Sequence, residues 1–334
     1  MPRMLFLRII NFISNKCDEF FAKLIRPDLI HVRMQGYKNI CIPYLTSIGR
    51  YSRIKNANSG KGVVIEKKVW IGENVEIEAS GGGKIQICEG ASIQDRCKLF
   101  GSITIGRQAI LSPNVYASSG THFFSIEPHL PIREQDKIGK TLHPNYISEK
   151  HIEIGEDCWI GTNVFIKSGI YLGKGCIVGS NSVVSKDIAP YEIIAGAPAK
   201  PLKKRLSFEP RSVVDINDKT SSPYFYEGFR NDGMVLKNAT IVLKKFTGNV
   251  NLQLKIFANK STDLSVSSNI GLGGNLPLTK GSNNYKINMS RSDKRFEFTP
   301  NKLLDRFTCL NFSHNLESII KILYAEVNLE PDNC

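Results

Sequence analysis

The chain of 334 residues is 41% hydrophobic and 22% charged, enough apolar material for two folded domains and too much for a disordered chain. Its 44 Lys+Arg against 31 Asp+Glu give a formal net charge of +13, which suits a polyanionic small molecule, an acidic glycan or a membrane surface. The eight cysteines show no CxxC and no paired metal spacing, which argues against a zinc ribbon or a disulfide framework and fits a reducing cytosol.

Residues 1–27 read as one helix. Leu5, Ile9, Phe12, Ile13, Phe20 and Leu24 are apolar and Pro27 stops it. Arg8, Lys16, Asp18, Glu19 and Lys23 interrupt any membrane-spanning run, and Arg8 splits the apolar stretch that a signal peptide needs. The helix packs on the first part of the following domain or on a neighbouring subunit. The competing reading is a helix lying on the inner leaflet of a membrane, near a lipid-linked glycan. Residues 1–47 are assigned to this helix and a lead-in.

A six-residue period follows. Ile65, Ile71 and Ile77 begin it. After a ten-residue step, Ile87, Ile93, Leu99, Ile105 and Leu111 resume it, each with a small or aliphatic partner four residues on. The turn-rich string Ser80-Gly81-Gly82-Gly83-Lys84 absorbs the four extra residues. Residues 117–151 leave the pattern as a long excursion, and such excursions from a rigid repeat are usually functional or disordered. Ile154, Ile160, Ile166, Leu172, Val178 and Val184 then form a second run, with Gly155, Gly161, Gly173 and Gly179 directly after four of them. Neither a helix nor a strand has this period. A chain that turns a corner every six residues does. Three short strands then close one triangular coil, and stacked coils bury a continuous column of side chains. Cys97, Cys158 and Cys176 fall at inward positions, where Cys acts as a small apolar residue.

The repeat ends near Asp187, with Pro198 and Pro201 marking the exit. From Ser207 short alternating runs appear at 240–243, 250–256, 285–289, 310–313 and 319–329, separated by Gly/Asn clusters such as 271–275. They predict an antiparallel β-sandwich over residues 207–334. Tyr224, Phe225, Tyr226 and Phe229 belong to its core, or else stack on sugar rings. Residues 207–334 hold 16 Lys+Arg and 13 Asp+Glu, leaving 28 and 18 for residues 1–206. The charge excess therefore lies in the repeat half. No recognised nucleic-acid motif accompanies it.

The strings IGEDCWIGTNVFIKSGIYLGKGCIVGSNSVVSKDI and IIAGAPAKPLKKRL, with ITIGRQAILSPNVYASSGTH upstream, resemble the hexapeptide-repeat acyltransferases, the sugar O-acetyltransferase branch in particular. The resemblance covers about residues 48–206. It implies a left-handed parallel β-helix, a homotrimer with active sites between neighbours, and acetyl-CoA as co-substrate. The C-terminal part bears a looser likeness to an accessory sandwich of some bacterial polysaccharide-biosynthesis enzymes.

The resemblance also implies roles for residues. His122 aligns with the general base, which takes the proton of a weakly nucleophilic sugar hydroxyl as it attacks the thioester, with no acyl-enzyme. The family usually has Pro after this His; here Phe123-Phe124 follows, which affects the loop path and the acceptor. Glu127 is a candidate to orient the imidazole, or a solvated loop carboxylate. Trp159 would wall the pantetheine arm, Gly161, Thr162 and Ser180 would line it, and Ser185 and Lys186 would hold the ribose 3′-phosphate. Lys200 and Lys203 stand where the family usually has Arg, which keeps the charge and loses bidentate geometry. Gln94, Asp95 and Asn114 occupy the acceptor-sugar positions, or are ordinary polar corners. No metal is expected: hexapeptide-repeat carbonic anhydrases place three zinc-binding His on the coils, whereas His122, His129, His143 and His151 lie in the excursion and His31 and His314 are remote.

The chain thus reads as mainly β, a β-helix and then a sandwich, and as a cytoplasmic O-acetyltransferase of a bacterial surface glycan. The capsule or the lipopolysaccharide O-antigen would supply the acceptor, and the inner face of the membrane is a candidate location. The rivals are an N-acyltransferase on an amino-sugar nucleotide and a glycan-binding scaffold without turnover.

Overall fold

A computed structural model describes residues 31–36, 39–43, 45–57, 60–142, 150–230, 232–246, 250–269, 273–289, 307–314 and 318–329. The helix expected over residues 1–27 lies outside them. The chain divides into two compact units, 1–206 and 207–334.

The first unit is a parallel β-solenoid of three sheets with seven, six and eight strands. The second run shows how a coil closes. Trp159–Ile160, Phe165–Ile166 and Tyr171–Leu172 take one strand from each sheet, and Ile177–Val178 then lies beside Trp159–Ile160. The in-phase aliphatics Ile87, Ile93, Leu99, Ile105, Leu111, Ile154, Ile160, Ile166, Leu172, Val178 and Val184 all point into one core.

Two local features make the corners. A Cβ on Gly161 would lie 2.6 Å from Ser180 N and 2.8 Å from Val178 O, so only glycine admits the next coil at this distance. Two residues further on, the backbone turns through left-handed φ, at 58° for Asn163. Asn74, Asn114 and Asn181 repeat this at 56°, 63° and 59°, and Asn tolerates that region better than most residues.

The solenoid is longer than its regular repeat. Arg33–Gln35, Ile40–Cys41 and Ser47–Ile48 already pair in parallel with Arg53–Asn56, Gly62–Ile65 and Trp70–Ile71, so the first coil precedes residue 48. At the far end Glu192–Gly196 pairs in parallel with Ile177–Val178, beyond Asp187, and Ala199–Lys204 folds back antiparallel on it. The expected insert loops out between Glu76–Ala79 and Lys84–Ile87, with Gly81 and Gly82 at φ 58° and 82°.

The second unit contains a four-stranded and a five-stranded antiparallel sheet. One core takes Leu252, Ile256 and Ile322 from the first sheet and Ile241, Leu264 and Leu310 from the second. Tyr224, Phe225, Tyr226 and Phe229 are all buried, at 7% exposure or less, so they belong to the interior and are closed to sugar rings. The expected turn cluster 271–275 gives way in part: Gly273, Gly274 and Asn275 begin an edge strand, Gly273–Leu278, paired with Thr262–Ser268.

Ile160→Ala removes a fully buried side chain between two coils and is expected to cost about 2–5 kcal/mol of stability. Both tryptophans, Trp70 and Trp159, lie in the solenoid, so Trp fluorescence during urea unfolding reports this unit and checks the value.

Candidate active site

The excursion begins where the solenoid should turn from strand Tyr116–Ser118 into the next sheet. It leaves and returns through one neck: Lys150 N–H donates to Ser119 O at 3.0 Å, and Ser119 Oγ accepts from Ser102 N–H at 2.7 Å. Inside it, Pro131 opens helix α1, Ile132–Leu142. Gln135 on α1 is buried and ties the preceding loop to the helix, donating to Leu130 O at 2.9 Å and accepting from Glu127 N–H at 3.3 Å.

One turn of α1 thereby sets His122. Its Nδ1 donates to Asp136 Oδ2 at 2.8 Å, while Asp136 Oδ1 accepts from Phe123 N–H at 2.9 Å. With Nδ1 so engaged, the neutral ring carries its lone pair on Nε2, for which the described residues provide no partner. The His122 side chain is 75% exposed, so this nitrogen faces solvent. Phe123, which stands where proline was expected, packs over Gly139, where a Cβ would lie 2.6 Å from its ring. The aromatic thus docks the loop after His122 on α1. Glu127 does not reach the imidazole; its carboxylate lies 3.7 Å from His129 Nδ1. The orienting carboxylate is Asp136, fourteen residues from His122 and without any local spacing signal.

The residues assigned to the co-substrate lie elsewhere on the solenoid. Trp159 is on the third sheet, 53% exposed, with Nε1 donating to Ser112 Oγ at 3.2 Å. Gly161, Thr162 and Ser180 share the corner that follows; Thr162 O accepts from Asn181 N–H at 2.8 Å. Ser185 and Lys186 follow strand Val183–Val184. Trp159 is in register with Ile177, Ile177 with Ile193, and Ile193 with Lys203. Three strand spacings separate Trp159 from Lys203, about 14 Å. Lys200 lies on the same closing strand, opposite Ala195. An exposed indole, a glycine corner and two cations therefore lie along one track. His122 stands outside it, on the excursion.

Two of the three expected acceptor residues are engaged by the scaffold. Asn114 Oδ1 accepts from Arg96 Nε at 2.8 Å and its Nδ2 donates to Asn163 Oδ1 at 2.9 Å; Asn163 continues to Asn181 at 3.0 Å. This amide ladder runs along successive corners. Asp95 Oδ1 accepts from Glu73 N–H at 2.9 Å across the coils. Gln94 is half-buried beside it.

Buried thiols line the solenoid interior. Cys97, Cys158 and Cys176 donate to Ser112 O, Gly173 O and Ala189 O at 3.2, 3.1 and 3.0 Å, and burial pushes the Cys97 thiol up to about 12. Where the excursion rejoins, His151 Nδ1 lies 2.9 Å from Ser102 Oγ and desolvation lowers its pKa. Desolvation raises Glu153, in the next strand, to about 7. Among the described residues no cluster of three His, Cys, Asp or Glu could hold a metal, and no helix is long and apolar enough to cross a membrane.

Residues 151–186 match the family described as bacterial transferase hexapeptide (six repeats). The match falls on the second run of coils. Three relatives are acetyltransferases by name. A chloramphenicol acetyltransferase of Morganella morganii is 51% identical over 61 residues, 18% of this chain and 29% of that protein. WcaF of Escherichia coli K12, named for colanic acid biosynthesis, is 29% identical over 159 residues, 47% of this chain and 74% of the relative. Galactoside O-acetyltransferase of the same organism is 27% identical over 124 residues, 37% and 49% of the two chains. The chain thus spans less than a third of the first of these relatives.

The raised Glu153 carboxyl makes a pH-dependent contribution to stability. The folded state keeps the proton that the unfolded state has released, so stability falls as pH rises from the ordinary carboxylate range through about 7. Glu153→Gln is expected to match the wild type near pH 4 and to exceed it above pH 7 in thermal midpoint. Identical pH slopes for the two proteins would refute the assignment.

Proposed function

We propose that the protein transfers acetyl from acetyl-CoA to a sugar hydroxyl of a bacterial surface polysaccharide, of capsule or O-antigen type. The observation that carries this reading is the His122–Asp136 pair, with Nδ1 held at 2.8 Å and Nε2 open to solvent on a loop outside a hexapeptide-repeat solenoid. The names of the E. coli relatives support a sugar acceptor.

In this reading Nε2 of His122 takes the hydroxyl proton as the sugar oxygen attacks the thioester carbonyl. Backbone N–H groups stabilise the resulting oxyanion. The intermediate collapses with cleavage of the C–S bond, and the imidazolium returns its proton to the departing CoA sulfur. Asp136 favours the protonated ring at the moment it forms and fixes its tautomer. Trp159 covers the pantetheine arm, with Gly161, Thr162 and Ser180 along it, and Ser185, Lys186, Lys200 and Lys203 take the phosphates. The track from Trp159 to Lys203 suits an elongated ligand with an anionic end. Because His122 stands off this track, the site is completed between copies of the chain, as in a homotrimer. Gln94 remains the candidate acceptor contact. The solenoid is left-handed, the second unit is a β-sandwich accessory domain, and the enzyme works in the cytoplasm.

Release of CoA thiol from acetyl-CoA with surface-glycan oligosaccharides and nucleotide sugars as acceptors tests this. His122→Ala is expected to lower kcat/KM by about 10²–10⁴-fold. Asp136→Asn is expected to lower it less, because the ring keeps its basic nitrogen and loses the carboxylate that fixes its tautomer. Thiol release that survives His122→Ala would remove the base from the mechanism; release only with amino-sugar nucleotides would make the enzyme an N-acyltransferase.

A further inference from the structure

The outer face of the five-stranded sheet in the second unit holds a polar groove. Ile241, Leu264 and Leu310 of this sheet point into the core, which leaves the alternate residues on the other face. There, cross-strand register aligns two rows. Thr240 stands opposite Asn311, and Asn311 opposite Ser267. In the adjoining row Asn238 stands opposite Ser313, Ser313 opposite Ser265, and Ser265 opposite Asn275. These side chains line a depression of about 650 Å³. Tyr226, Val242 and Cys309 form a separate apolar cluster with Phe208 and Phe307, so part of the same outer face is covered and the rest stays open.

Asn311 carries the argument. It is 8% exposed, its Oδ1 accepts from Thr240 Oγ1 at 2.9 Å, and its buried Nδ2 has no partner among the described residues. A buried amide donor left unpaired costs free energy, and at the floor of a groove a water or a ligand oxygen supplies the missing partner. The neighbouring groups are hydroxyls and amides, with Glu227 the single carboxylate of the lining and no Lys, Arg or His. The apolar lining residues Ala239, Val266 and Phe312 are buried at 3% exposure or less. Such a surface offers no ion pair to a polyanion and no apolar pocket to a lipid or a peptide side chain. It offers alternating donors and acceptors across five strands, about 19 Å.

We propose that this groove is a binding site for a neutral, hydroxyl-rich glycan strand, separate from the catalytic residues. Asn311 Nδ2 donates to a sugar oxygen at the floor, Ser267 hydrogen-bonds the same strand from Asn311's own row, and the Asn275 amide N–H groups do so from the adjoining row, where Ser265 Oγ donates to Asn275 Oδ1 at 2.5 Å.

Titration of the full chain, without acetyl-CoA, with oligomers of glucose, galactose and N-acetylglucosamine tests the site, and hyaluronan oligomers serve as the acidic control. At least one neutral oligomer binds. Asn311→Asp, which replaces the donor, and Asn275→Ala, at an exposed edge position, each weaken it about tenfold. Ser267→Trp, which fills the groove, abolishes it. Matching thermal midpoints for wild type and Asn275→Ala separate loss of the site from loss of the fold. Absence of binding to every neutral oligomer, binding confined to hyaluronan, or binding that survives Ser267→Trp would overturn the proposal. Because no turnover is read, these outcomes are independent of the acetyl transfer.

Discussion

The solenoid depends on the close approach of one coil to the next. Neighbouring strands lie ~4.8 Å apart, and each inward side chain is buried by the coils on either side. A single coil has no interior of its own. This spacing dictates what the corners tolerate. Glycine follows the inward aliphatic because the next coil's backbone occupies the place of a Cβ, as at Gly161. Asparagine takes the left-handed position, and its side chain then finds the asparagine of the adjacent coil, as Asn114, Asn163 and Asn181 do. The inward cysteines pass their S–H to carbonyls fifteen or thirteen residues along the chain. Packing, backbone and polar satisfaction follow from one geometric condition.

A scaffold so tightly specified leaves little freedom for chemistry on its faces, and the candidate base accordingly lies off it. His122 is on a loop, where a side chain is positioned only if something holds the loop. Three interactions do so: Gln135 against the loop backbone, Phe123 on Gly139, and Asp136 with both the His122 ring and the Phe123 N–H. Asp136 therefore orients the imidazole and pins the backbone that carries it. This explains how Phe123 can replace the proline expected there: a docked ring restrains the chain where a fixed φ would have done so.

The solenoid was legible because its signal is local. An aliphatic every six residues is visible without knowledge of any partner. The first coil was missed because Met34, Ile40 and Ile48 follow no constant step, and the last because Ile194 comes sixteen residues after Val178. The excursion was legible as a gap and not as a structure. Asp136 approaches His122 only through the fold of α1, so sequence spacing offered only the nearer Glu127, as an orienting group or as a solvated loop carboxylate. Asn114, Asp95 and Gln94 could be read as acceptor contacts or as ordinary polar corners, because the two look alike in one dimension; the bonds of Asn114 and Asp95 to neighbouring coils appear only when the coils are stacked. In the second unit, Gly273, Gly274 and Asn275 have turn chemistry, and pairing with Thr262–Ser268 overrides it at a sheet edge.

The charge of the repeat half is less uniform than its total suggests. Along the first sheet Arg53 and Lys98 meet Glu76 at 2.9 and 3.1 Å, and Lys55 meets Glu78 at 2.7 Å, so many cations are matched coil against coil. Lys186, Lys200 and Lys203 make no ion pair among the described residues, and they cluster at the last coil and its closing hairpin. Exposed charges act over about 8–10 Å at physiological salt, so an anionic ligand at this end of the solenoid senses these three lysines and little of the charge farther along it. Recognition there is electrostatic and weakens with salt. The groove of the second unit is lined by hydroxyls and amides, whose contribution rests on hydrogen-bond geometry and varies little with ionic strength. The two proposed sites would thus answer to different physical variables, and salt concentration would separate the occupancy of one from that of the other.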